Sequence, residues 1–498
     1  MHRSPTIARF VFAAAILLAA AATAQQPASF GQPVRPLAAV DLYALPRLDN
    51  RALIAKAEAE AAGKGIFGAP YRFAHRVPAS LDPAAAGTWE ELDGGERLWR
   101  LRLRSPGALS LNLHFDRFEL PPGARLWVYN RGRDHVLGPY DRGAANLRGE
   151  LWTAPVYGDE AVVELYLPPA AGEARLHLAG VHHGFRALPG KNHGSCNNDV
   201  VCPEGDPWRD QIRAAVLLIY SDVFGSFVCS GQLVNNTALD KRPYVLSAFH
   251  CITDNFGVPD FNLVPTVVAT FNFQAPICGL QGGGSGSQTV SGATFVAGEV
   301  NTDFLLIELD ETPPAEFDVH YAGWNAGGQN PSAAVCIHHP QGDVKSISFD
   351  DDPLTTDVEF FPNGTHWRVG GWEDGTTEPG SSGSCIYDPA DGLCVGVLTG
   401  GFAACPEDGP ERPEDFYGKL SAAWNAGPTP DMRLGDWLDP TGSGVTSLAG
   451  MDPDASGGCV PSATALCLND DRFRVELEWV FPSTGEKRDA GVVPFGSD

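Results

Sequence analysis

Thr377-Glu378-Pro379-Gly380-Ser381-Ser382-Gly383-Ser384-Cys385, running on into Ile386 and Tyr387, is the stretch on which the reading of this chain turns. A serine held between glycines can occupy a tight turn, with its hydroxyl exposed and nearby backbone N–H groups converging where an oxyanion would form. Gly-x-Ser-Gly alone also describes ordinary Gly/Ser loops. The weight comes from two other segments. Tyr244-Val-Leu-Ser-Ala-Phe-His250-Cys251 is an apolar strand ending in His-Cys, and Asn301-Thr-Asp303-Phe-Leu-Leu-Ile-Glu-Leu opens a buried-looking strand with an Asp. In the chain order His250, Asp303, Ser382 these residue types form a proton relay: the imidazole takes the serine proton and the carboxylate holds the ring tautomer. Each has an ordinary reading too, a structural His beside a Cys and an Asp in a turn.

The surrounding composition sets limits. At 498 residues the chain exceeds one ordinary core, and 43% hydrophobic with 10% aromatic content is that of a folded protein. Its formal net charge is −26, and Asn192 to Gly450 holds 34 Asp and Glu against 9 Lys and Arg, nearly the whole excess. Such a surface repels nucleic acid and anionic lipid and attracts cationic substrates. Acidity for solubility accounts equally well for most of those charges.

His2, Arg3 and Arg9 precede the apolar run Phe10 to Ala22, and Ala22-Thr23-Ala24 fits a small-x-small cleavage site. Residues 1–24 therefore read as a signal peptide. No other segment reaches the roughly 18 apolar residues of a membrane span, so a secreted protein without a membrane partner is expected. Eleven cysteines, all between Cys196 and Cys467, then read mostly as disulfides. None has Cys-x-x-Cys spacing, and neither a metal nor another cofactor is expected.

The organisation reads as all-β. Residues 25–191 open with an Ala- and Pro-rich stretch bearing a helical patch at Arg51 to Ala62. Short strands follow at Leu98 to Leu103, Leu109 to Phe115, Arg125 to Tyr129, Leu151 to Val156, Ala161 to Leu167 and Arg175 to Val181, the spacing of an antiparallel sandwich. Residues 192–450 carry many short strands broken by Gly, Pro and Asn, with hardly a helical period before Met432 to Leu438, as in β-barrels. Residues 451–498 read as a linker and one strand, Phe473 to Val480, too little to fold unaided.

From Gly194 to about Gly450 the chain resembles the secreted bacterial lysyl endopeptidases, serine proteases of chymotrypsin fold. The matching stretches are Gly-Ser-Cys-Asn-Asn-Asp-Val-Val-Cys-Pro-Glu-Gly-Asp at 194–206, Leu-Val-Asn-Asn-Thr at 233–237, Ile-His-His-Pro at 337–340, Thr-Glu-Pro-Gly-Ser-Ser-Gly-Ser at 377–384 and Asp-Trp-Leu-Asp-Pro at 436–440. The resemblance implies a chymotrypsin-like double six-stranded antiparallel β-barrel, His250 and Asp303 from the first barrel and Ser382 from the second. It implies a β-sandwich-like pro-region up to Lys191, a short C-terminal extension after the protease domain, and bridges Cys196–Cys405, Cys202–Cys278 and Cys229–Cys251. Cys459 and Cys467 are close enough in sequence to pair, and Cys336, Cys385 and Cys394 stay unassigned.

For the site, the resemblance implies an oxyanion hole from the Gly380 and Ser382 N–H groups. Ser381 stands where trypsin-like enzymes carry the Asp that pairs with a new N-terminus, so that activation is not expected. Asp415, in Glu414-Asp415-Phe416-Tyr417-Gly418, matches the position of the pocket carboxylate that receives a Lys ammonium. Its ordinary reading is one more surface acid beside Glu407, Asp408, Glu411 and Glu414. Thr399, Gly400 and Gly401 match the strand that pairs with substrate, Thr399 replacing the family's His.

The expected activity is hydrolysis after Lys through a Ser-His-Asp triad and an acyl-enzyme. The expected partners are protein or peptide substrates and the chain's own pro-region; no nucleic acid and a monomeric state are expected. Lys191, one of only seven lysines, sits at the boundary, where self-cleavage of Lys191–Asn192 is expected to release the enzyme. The competing expectations are the same chemistry with Arg/Lys or another preference, and a catalytically silent protease-like binding protein. Adjacent His338 and His339 point to opposite faces of a strand and cannot share an ion.

Overall fold

A computed structural model describes residues 26–62, 70–188, 196–253, 258–280, 283–405 and 414–453, and the backbone of three later strands. The expected signal peptide, the Lys191–Asn192 bond and the Cys459–Cys467 pair lie outside the described residues. The chain divides into two compact units, one to Gly450 and one from Met451.

Early in the first unit lies helix α1, Asn50–Ala62, where Asp49 Oδ1 accepts the Arg51 N–H at 3.0 Å, satisfying a donor that the first turn leaves free. Six strands then matter: β1 Tyr71–Leu81, β2 Arg97–Arg104, β3 Ser110–Glu119, β4 Arg125–Asn130, β5 Glu160–Leu167 and β6 Arg175–Gly184. β5 lies between β2 and β4 in one sheet, and β6 between β1 and β3 in another. Leu101 and Leu103 of β2 alternate with arginines and pack with Leu111, Leu113, Val163 and Leu165 across the two layers.

The long strand β1 does not stand out in the sequence, because Arg72, Arg76 and Pro78 interrupt its apolar pattern. It forms because both edges are paired. On one side it meets β6; on the other it joins β8, Gly225–Leu233, with Gly225 opposite His75 and Val228 opposite Tyr71. The sheet therefore passes unbroken from the N-terminal sandwich into the next part of the chain. One core holds Phe73 and Leu111 together with Leu217, Ile219 and Val228.

That next part is a six-stranded ring: β7 Ala215–Ser221, β8, β9 Tyr244–Ala248, β10 Val268–Phe271, β11 Ala293–Glu299 and β12 Phe304–Leu309. The order is β10–β7–β8–β9–β12–β11. Closure comes from Thr289–Ser291, which pairs back onto β10 just before the chain bends at Gly292, φ +91°. A second set follows: β13 Ala334–His338, β14 Ser346–Asp350, β15 His366–Val369, β16 Cys385–Asp388, β17 Leu393–Gly401 and β18 Asp415–Lys419. Its order is β14–β13–β16–β17–β18–β15, and a bridge between Phe349 and Asp374 joins its two ends. The chain is thus mostly β, with the double barrel expected of a chymotrypsin-like fold.

Four disulfides cross this unit: Cys196–Cys405, Cys202–Cys278, Cys229–Cys251 and Cys385–Cys394. The last joins neighbouring strands β16 and β17 and accounts for two of the three unassigned cysteines. Cys336 is free and buried, and burial pushes its thiol up to about 12. The second unit is a three-stranded antiparallel sheet, Val460–Asn469, Arg472–Val480 and Lys487–Pro494, where the sequence suggested one strand. Among the described residues no helix is long and apolar enough to cross a membrane.

Candidate active site

Strand pairing sets His250 opposite Asp303. β9 runs antiparallel to β12 with Ala248 facing Phe304, so the residues just beyond β9 and just before β12 meet at one end of the ring. Phe249–Ile252 form a single 3₁₀ turn there. Asp303 Oδ2 lies 2.8 Å from His250 Nδ1, and its Oδ1 accepts the His250 backbone N–H at 2.8 Å. Its carbonyl accepts the Phe249 N–H at 2.9 Å. Asp303 has φ +54°, a conformation costly for most residues and tolerated by Asp. Glu299 secures the turn by accepting the Asn301 and Thr302 N–H groups, each at 3.0 Å.

With Nδ1 turned to a carboxylate, His250 presents Nε2 as its free acceptor. Nε2 has no hydrogen-bond partner among the described residues.

Ser382 is brought to the same seam through β8. Ser230 donates its N–H to the Ser382 carbonyl at 2.8 Å and its hydroxyl to the Gly380 carbonyl at 3.0 Å. Its neighbour Cys229 is bonded to Cys251, beside His250. The structure therefore gathers all three residues around one strand, with the His250–Asp303 bond made and no bond between His250 Nε2 and Ser382 Oγ. Among the described residues neither the Gly380 nor the Ser382 N–H donates a hydrogen bond. Cys229, His250 and Cys251 cluster closely enough to resemble a metal site, but both sulfurs are spent in the disulfide.

Gly383 is what allows this approach. It has φ +84°, and a Cβ there meets Ser247 Oγ at 2.2 Å and Ser230 O at 2.4 Å. Gly383→Ala is expected to destabilise by about 1–3 kcal/mol through overpacking alone, with more from the backbone angle. Urea denaturation in a Ser382→Ala background measures it; an unchanged midpoint means the joint is looser than described.

Ser381 is fully buried. Its hydroxyl lies 2.7 Å from His338 Nδ1 and accepts the Glu378 N–H at 3.2 Å, while His338 Nε2 lies 3.2 Å from Ser348 Oγ. A hydroxyl–imidazole–hydroxyl chain thus runs through the residue before Ser382. His339 turns elsewhere, its Nδ1 2.9 Å from the Asp343 carbonyl.

Asp415 opens β18 and is 1% exposed, so the surface-acid reading does not hold. Oδ2 accepts from Thr377 Oγ1 at 2.6 Å and Trp372 Nε1 at 2.8 Å. Burial pushes the carboxyl up to about 6, against the opposing pull of Thr377, Trp372 and the Ala403 N–H. Gly401 lies opposite it in register, and a Cβ at Gly401 meets Asp415 Oδ1 at 2.2 Å. Thr399 falls in the bulge between Leu398 and Gly400, fully buried, its hydroxyl 3.0 Å from His366 Nε2. Gly400 and Gly401 are partly exposed. Ser230, Glu299, His338, Trp372 and Thr377 carry no local signal of these roles, because their partners lie on distant strands.

Comparison with known proteins gives two family matches. "Lysyl endopeptidase, C-terminal domain" matches residues 191–418, and "Lysyl endopeptidase N-terminal domain" matches residues 44–181. A Pseudomonas aeruginosa protein named lysyl endopeptidase is 29% identical over 367 residues, 68% of this chain and 76% of that one. Among solved structures, the thermostable serine protease AL20 from an extremophilic microorganism is 14% identical, covering 42% of this chain and 92% of that one, with a TM-score of 0.32. The protease Anisep from Arthrobacter nicotinovorans is 13% identical, covering 45% and 93%, with a TM-score of 0.33.

Proposed function

The chain belongs to the lysyl endopeptidase family and is a serine endopeptidase, and on that premise we propose that it cuts polypeptides on the carboxyl side of lysine. In this reading His250 Nε2 takes the Ser382 proton as Oγ adds to the substrate carbonyl. The oxyanion meets the Gly380 and Ser382 N–H groups; loss of one such donor typically costs about 10²–10³ in rate. His250 returns the proton to the departing amine as the C–N bond breaks, leaving an acyl-enzyme. Water, activated by the same imidazole, then releases the acid. Asp303 holds the ring tautomer and offsets the imidazolium charge.

The observation that carries the lysine preference is Asp415. It is a buried carboxylate with neutral donors on Oδ2, and among the described residues no Lys or Arg pairs with it. A lysine ammonium brings the missing counter-charge, whereas a neutral side chain leaves the carboxylate buried without one. Gly401, lacking a Cβ, leaves room beside Oδ1. Residues 1–24 as signal peptide, 25–191 as pro-region and 192–450 as protease complete the proposal, and the four disulfides suit an oxidising compartment.

The test is mass spectrometry of a denatured protein digested with the matured enzyme. New termini should follow Lys alone; cuts after Arg as well, or no cuts, reject the proposal in favour of a broader or silent homologue.

A further inference from the structure

A carboxylate cluster lies outside the candidate active site, where β14 ends. Asp350 is 1% exposed. Its Oδ1 accepts the Asp352 N–H at 2.9 Å, while its Oδ2 has no hydrogen-bond partner among the described residues. The carboxylate faces two more: one oxygen each from Asp350, Asp352 and Glu373 lie within 4.8 Å of one another. Among the described residues no Lys or Arg pairs with any of the three. A buried carboxylate with one oxygen lacking a donor, set beside two further carboxylates, is unfavourable unless a cation or a proton is shared.

We propose that Asp350, Asp352 and Glu373 bind a hard divalent cation of calcium's size. Oxygens up to 4.8 Å apart can surround a common centre at about 2.3–2.6 Å, and Asp352 and Glu373 are exposed, so the remaining positions are open to water. A shared proton is the competing explanation. The two are told apart at a fixed pH of 8, where a cation site answers to added Ca²⁺ and a shared proton does not.

The position gives the ion a structural task. The second ring is joined at the Phe349–Asp374 bridge, where the Phe349 N–H donates to Asp374 at 2.8 Å and the Glu373 N–H to Phe349 at 3.1 Å. Ser348 Oγ continues the tie by donating to the Thr376 carbonyl at 2.8 Å. The strapped segment is flanked by Trp372 and Thr377, the two side-chain donors to Asp415. An ion joining Glu373 to Asp350 and Asp352 clamps this seam and steadies the wall that holds Asp415. The effect on catalysis rests on the lysine-pocket reading; the binding does not.

The test uses full-length Ser382→Ala protein and Tb³⁺ as probe, since Trp372 is adjacent in sequence to Glu373 and can sensitise its luminescence. The expected result is saturable luminescence, displaced by Ca²⁺ at about 10⁻⁴–10⁻³ M, and weakened at least tenfold in Glu373→Gln and Asp352→Asn. Ca²⁺ should raise the unfolding midpoint of the parent but not of these surface variants, whose folding is checked by circular dichroism. Absence of saturable luminescence, unchanged binding in both variants, or a midpoint that responds to pH alone overturns the site. In the active chain, Ca²⁺ should lower KM for lysyl substrates without changing kcat; binding with unchanged KM overturns the clamp on the pocket.

Discussion

Ser382→Ala is expected to lower kcat/KM on a lysyl substrate by about 10⁶-fold, the scale of loss when a triad nucleophile is removed. The size follows from the site's geometry. The His250 ring is already fixed by Asp303 at 2.8 Å and leaves Nε2 free, so deleting the hydroxyl removes the attacking atom and the imidazole's proton donor together. Binding should change little, because the Ser382 backbone remains held by Ser230 at 2.8 Å. His250→Ala should cost a similar factor, and the double variant hardly more, since the two act as a unit. Steady-state kinetics with active-site titration checks this. A loss below about 10²-fold would mean that another group carries the chemistry. The same variant tests maturation: if the enzyme cuts Lys191–Asn192 itself, Ser382→Ala is secreted with its N-terminal region attached, and an identical mature terminus in both rules out self-processing.

Asp415→Asn is expected to lower kcat/KM for lysyl substrates by roughly 10²–10⁴-fold, the equivalent of 3–5 kcal/mol for a buried charge deprived of its partner. Uncharged residues at the same position should be affected far less. Asn keeps an oxygen for Thr377 and Trp372, so the fold has no reason to fail. The pH profile gives an independent check.

With the folded carboxyl near 6, against an ordinary value of 3.8 for a solvated aspartate, the carboxylate an ammonium needs is lost as pH falls below 6. Below that point kcat/KM for lysyl substrates should fall as Asp415 takes up its proton. Asp415→Asn should lose that part of the fall. For stability the sign is reversed: the folded state holds this proton more tightly than the unfolded one. Burying Asp415 therefore weighs most against folding above pH 6, and that penalty is relieved as pH falls from 6 towards 3.8.

How far the chain could be read without coordinates varies by element. The β2 strand is legible because leucines alternate with arginines, and β4 and β5 because they are short apolar runs bounded by turn residues. β1 is not, since Arg72, Arg76 and Pro78 obscure the pattern and only pairing with β6 and β8 makes it a strand. For the same reason the boundary near Lys191, clear as a change in composition, does not divide the core, in which Phe73 packs with Ile219 and Val228. The Cys385–Cys394 bond was open for want of a register; once β16 and β17 pair, the two cysteines are close neighbours.

From its sequence alone the chain declared its family, its all-β class and the residue types at His250, Asp303, Ser382 and Asp415, because those depend on local pattern and long matching stretches. Only the tertiary structure decided that Asp415 is buried under Thr377 and Trp372, that Ser230 joins the Ser382 loop to the histidine's strand, and that Asp350 faces Asp352 and Glu373. Each of those facts is a relation between strands far apart in the chain. Register and packing set such relations, and no local run of residues encodes them.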